Sequence, residues 1–133
     1  MLKLKIVRNI LELFISLDWL MEIIGRKKLE KLKRKNLGNV SLCNAIDKLF
    51  KQLETKNWNN PLELVKDRPD ADNVHSDGFY FFNLNVHRTM VLIEFEEGEA
   101  TIIWCGTHDE YVKTFNNNKN TIEKWLRDNG LIN

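Results

Sequence analysis

Cysteine, histidine and glycine are all scarce in this chain, and each scarcity removes a class of function. Two cysteines in 133 residues, Cys43 and Cys105, are too few for a metal cage, and both lie in apolar periodic runs. Buried, reduced thiols are expected, which points to a cytoplasmic protein. The three histidines, His75, His87 and His108, are scattered without the spacing of metal ligands, so no metal and no other cofactor is expected. The six glycines form neither a phosphate-cradling loop nor a nucleophile elbow. The sequence holds no internal repeat, no low-complexity tract and no apolar run of membrane-spanning length, so no membrane partner is expected.

The first twenty residues, "MLKLKIVRNILELFISLDWL", have the basic start and apolar stretch of a signal peptide. Glu12 and Asp18 interrupt that stretch, and no small-residue cleavage site follows. A second methionine, Met21, opens what reads as the domain itself. Residues 1–20 are therefore taken as an N-terminal extension, and residues 21–133 as one domain, in keeping with the chain's length.

The net charge of +1 hides an uneven distribution. Seven basic residues (Arg26, Lys27, Lys28, Lys31, Lys33, Arg34 and Lys35) stand against one acid, Glu30, between positions 26 and 35. Acids dominate from Glu94 to Glu110. Such asymmetry suggests a polyanionic partner for the basic end.

"MEIIG" reads as a short strand, and the basic stretch after it as a helix with Leu29 and Leu32 inward, ended by "NLGN". Leu42, Ala45, Ile46, Leu49, Phe50 and Leu53 fall on one face of a second helix, with Ser41 as the expected N-cap. Pro61 and Pro69 bracket a loop-rich stretch, to about Gly78, with room for one short helical turn. Phe79 to Asn85, Thr89 to Phe95 and Ala100 to Gly106 are rich in aromatic and β-branched residues and predict an antiparallel meander. Gly98 in "EEGE" suits the tight turn between the last two. A C-terminal helix over about 118–129 carries Ile122, Trp125 and Leu126 on one face, with "NNN" before it and Asn129-Gly130 after it. The fold class is α+β: N-terminal helices on a small antiparallel sheet, closed by a C-terminal helix.

The chemistry-bearing residues gather where the last apolar run stops, at "CGTHDEY". Arg88 shares a strand face with Met90 and Leu92, either as a strand-edge charge or as a phosphate ligand. His87 points the other way and is assigned a hairpin role. His108 and Tyr111 come together if Asp109 begins a helical turn. His108 is then a proton shuttle and Tyr111 a donor to phosphate or a stacking surface for a base. Otherwise Asp109 is a helix cap, His108 a turn residue and Tyr111 a core aromatic. Trp58, Trp104 and Trp125 read as core or interface anchors, and His75 as structural.

The order "NW..P....K..P.AD" (Asn57, Trp58, Pro61, Lys66, Pro69, Ala71, Asp72), "FFNLNVHRTMVLIEF" and "GTHDEY" resembles the HigB-like toxins of the RelE superfamily, from bacterial type II toxin–antitoxin systems. The resemblance covers about Met21 to Tyr111. It implies a RelE-like fold and a ribosome-dependent mRNA endonuclease that uses the RNA's own 2′-hydroxyl without a metal. It also implies neutralisation by a helix-turn-helix, HigA-like antitoxin. In that frame Arg88, His108 and Tyr111 are the catalytic set, with Arg88 on the scissile phosphate. Arg26, Lys27, Lys28, Lys31 and Arg34 would contact RNA, including ribosomal RNA. Relatives commonly carry the strand arginine at the position of Met90. Here Arg88 stands two residues earlier on the same face, a shift of roughly 7 Å along the strand. Many relatives also place an aspartate where Val112 stands. The alternative function is a RelE-fold module that binds RNA or antitoxin without catalysis.

Overall fold

The computed structural model describes residues 21–133, so the N-terminal extension lies outside the described residues. The elements run β1 (Glu22–Ile24), α1 (Arg26–Lys35), α2 (Val40–Thr55), α3 (Pro61–Asp67), β2 (Asp72–His75), β3 (Phe79–Leu84), β4 (His87–Glu94), β5 (Glu99–Thr107), α4 (His108–Phe115) and α5 (Lys119–Asp128). Five strands form one sheet in the order β1-β5-β4-β3-β2. The meander is β3, β4 and β5, antiparallel as the residue types predict. β1 pairs parallel with the start of β5, which makes the sheet mixed where an antiparallel one was expected. The fold is α+β.

β3 explains the layering. Its sequence FYFFNL is buried at every position except Asn83, so both faces must be covered. Tyr80, Phe82 and Leu84 point into a core built with Leu29 of α1, Leu42, Ile46, Leu49 and Leu53 of α2, Leu64 of α3 and Trp58. Phe79 and Phe81 point into a second core with Met90, Tyr111, Phe115, Ile122 and Leu126. Thus α1–α3 cover one face and α4–α5 the other. The C-terminal helix is a lid on the second face.

Several local expectations need correction. The N-cap of α2 is Asn39, whose side chain accepts the Leu42 N–H at 3.1 Å; Ser41 already lies inside the helix. The stretch after Pro61 is a full helix, capped by the Asn60 side chain, and it is followed by an edge strand, β2, that pairs with β3. Cys43 is buried, but Cys105 is only half-buried; both are free thiols. The turn glycine is as expected, with Gly98 at φ 68°.

The residues of the "NW..P" stretch build a clamp. The Trp58 indole donates to Asp67 at 2.8 Å, and the ring is buried beneath α3. Arg68 is buried as well. It donates to Asp70 at 2.8 Å, to the Asn83 carbonyl at 3.1 Å and to Gln52 at 3.3 Å, with its guanidinium over Phe82. The same Asp70 oxygen accepts the Asn83 N–H at 2.8 Å. This clamp fixes the end of β3 where the site begins. Among the described residues no helix is long and apolar enough to cross a membrane.

Candidate functional site

The hairpin between β3 and β4 turns in two residues, Asn85 and Val86, with Asn85 in the left-handed conformation (φ 59°). That turn puts Arg88 second in β4, opposite Asn83 on one side and Gly106 on the other. Gly106 is required there by close packing: a Cβ would sit 2.8 Å from the Trp104 ring. The Val86 carbonyl accepts the His108 N–H at 2.9 Å, which ties the start of α4 to the hairpin.

The α4 cap is a capping box on Thr107, not Asp109. Thr107 Oγ1 accepts the Glu110 N–H at 3.1 Å, and Glu110 Oε1 accepts the Thr107 N–H at 2.7 Å. The Thr107 N–H first, and then its hydroxyl, hold the Glu110 carboxyl below the usual carboxylate range, against the opposing effect of burial. A depressed folded pKa contributes stability above the unfolded value and loses it as pH falls through the folded one. Thr107→Ala is therefore expected to cost about 1 kcal/mol at neutral pH. The gap between wild type and Glu110→Ala should narrow below the usual carboxylate range, read by urea unfolding at neutral and acidic pH.

This local geometry brings the three predicted site residues together. The Arg88 guanidinium lies over the Tyr111 ring, 4.5 Å from its centroid, and the His108 ring stacks near it at 6.1 Å with planes 23° apart. Tyr111 itself is buried, edge-on to Phe81 at 4.9 Å, and its hydroxyl donates to Asn117 at 2.9 Å. Burial pushes the phenol's pKa up, with Arg88 opposing, so the hydroxyl keeps its proton at neutral pH. Arg88 and His108 line a shallow cavity of about 240 Å³ with Asn83, Asn85, Val86 and His87. Arg88 is half-buried and His108 exposed. The two-residue offset of Arg88 leaves it within reach of both partners.

The basic helix is more divided than its sequence suggests. Arg26 is held by Glu54 at 3.3 Å and lies over Phe50, and Lys33 is held by Asp47 at 2.7 Å. Lys27, Lys28, Lys31, Arg34 and Lys35 are exposed and form no ion pair with another described residue. Among the described residues no three His, Cys, Asp or Glu side chains converge as metal ligands would. Sequence reasoning assigned His87 only a hairpin role and passed over Arg68; both are buried polar groups. Their only sequence signal was a charged or polar residue beside an apolar run.

Residues 43–114 match the HigB_toxin family, the RelE-like toxic component of a toxin-antitoxin system. The chain belongs to that family. The matched span runs from α2 to α4 and covers more than half of the chain. It contains Arg88, His108 and Tyr111, while α1 and the lid helix α5 lie outside it. No protein of curated function matches the chain. Membership makes it the toxin of a toxin–antitoxin pair, with an antitoxin as its partner.

Proposed function

We propose that this toxin is a ribosome-dependent mRNA endonuclease that cuts without a metal, and that its partner is a helix-turn-helix, HigA-like antitoxin. The observation that carries the reading is the meeting of Arg88 and His108 in one cavity on the Tyr111 ring, inside the family-matched region. RNA can supply its own nucleophile. The 2′-oxygen bonds to the adjacent phosphorus, the bond to the 5′-oxygen breaks, and a cyclic phosphate and a 5′-hydroxyl result. The 2′-hydroxyl gives up one proton and the leaving oxygen takes one.

A planar arginine fork suits the extra charge on the phosphorane oxygens. Arg88 takes that part. His108, exposed at the mouth of the cavity, takes proton transfer or positioning of the reacting hydroxyl. Tyr111 acts by holding both: its ring supports Arg88 and its hydroxyl is committed to Asn117. The exposed cations of α1 contact RNA. Cytoplasmic action follows from a ribosomal target.

Primer extension on a reporter message tests this, after brief induction of the full chain with and without active ribosomes. Discrete new 5′ ends within codons are expected only when the message is translated, and not with His108→Ala. No new ends from well-folded protein would favour a RelE-fold binding module without catalysis.

A further inference from the structure

The cavity that holds Arg88 and His108 shares a wall with a second one. His87 lines both, and the second is a larger cleft, about 530 Å³, between α1 and the outer edge of β5. β1 pairs with Glu99–Thr101, so beyond Thr101 that edge has no strand partner among the described residues, and α1 stands over it. Lys28, Lys31 and Lys35, spaced by three and four residues on one helix face, line the cleft, and none is in an ion pair with another described residue. They span about 10 Å, the length of two or three nucleotides. The one carboxylate in the lining, Glu110, is turned back into the α4 cap.

His87 supplies the independent sign of a ligand. It is 7% exposed, and its Nδ1 is buried with no hydrogen-bond partner. An unsatisfied buried nitrogen is destabilising, because its hydrogen bond to water is lost and not replaced. An aliphatic residue would close the hairpin against Leu84 and Thr107 without that cost. The hairpin therefore does not explain the histidine.

We propose that the α1–β5 cleft carries the RNA strand beyond the scissile phosphate. Phosphates lie along Lys28, Lys31 and Lys35, and His87 is a positioning residue where the strand passes from one cavity to the next. The inference rests on the nuclease reading for the word scissile, but strand binding is measured separately. The probe is a fluorescein-labelled RNA hexamer with every 2′-hydroxyl methylated, which cannot be cut, followed by anisotropy across a range of salt. Lys31→Ala and Lys35→Ala are each expected to weaken hexamer binding and to lower the log–log salt slope by about 0.7, one phosphate's share on a single strand. Lys48→Ala on α2 should leave both unchanged. The His87 imidazole resonances should shift when the hexamer is added.

Unchanged slopes in both cleft variants overturn the proposal, as does an equal loss in Lys48→Ala. Absent hexamer binding by folded protein overturns it too; tight binding of an acidic peptide in its place would mark the open β5 edge as a protein-docking strand. A translated message cut normally while the slopes stay flat refutes the cleft alone. Expected slopes without cleavage refute the nuclease reading alone.

Discussion

Arg88→Ala is expected to slow cleavage of a ribosome-bound message by about 10²–10³-fold, the cost of removing one preorganised charge from a developing oxyanion. The fold should survive. Arg88 is half-buried, and its contact with the Tyr111 ring is a cation–π pair worth about 1 kcal/mol. Arg88→Lys should recover only part of the rate, because an ammonium is a point charge without the guanidinium's two-pronged geometry. Single-turnover cleavage on programmed ribosomes reads both, with far-UV circular dichroism to show that each variant is folded. Full-speed cleavage by Arg88→Ala would remove Arg88 from the site.

The second large effect is on stability. Asp70→Ala is expected to cost about 3 kcal/mol, because it leaves the buried Arg68 cation without its carboxylate. The Arg68 side chain is only 9% exposed, too little for water to replace the lost partner. The substitution also frees the Asn83 N–H, at the end of β3 beside the Arg88 cavity. Urea midpoints measure the loss. Replacing both partners, Arg68→Met with Asp70→Leu, should cost less than Asp70→Ala alone, since it removes the buried charge rather than stranding it. If Asp70→Ala were as stable as wild type, the clamp would have no part in holding α3 and β2 to the sheet.

These two predictions rest on different kinds of legibility. Arg88, His108 and Tyr111 could be singled out because strand alternation and a three-residue helical spacing are local rules. What those rules left open was the part of each residue. Tyr111 turned out to be a buried support because Phe81, from β3, packs edge-on against its ring, together with Phe115 one turn further along α4. Arg26 and Lys27 look alike in sequence, yet only Arg26 meets Glu54, an acid twenty-eight positions away. His87 read as a hairpin residue because the α1 lysines that share its cleft lie some fifty positions earlier.

The sequence by itself determined the period-3.6 face of α2, the β3–β4–β5 meander, the turn at Gly98, the end of α1 and the C-terminal helix. Each depends on residues within a few positions of one another, where propensity and capping act. Its order of motifs also pointed to the toxin family that the match at residues 43–114 establishes. Only the tertiary structure decided that β1 joins β5 in parallel, that β2 forms an edge, that Arg68 and Asp70 clamp β3, and which helix cations remain free. Those features depend on groups brought together by burying two cores on opposite faces of one sheet. A short strand such as Glu22–Ile24 becomes a strand only when the distant edge of β5 is there to receive its hydrogen bonds.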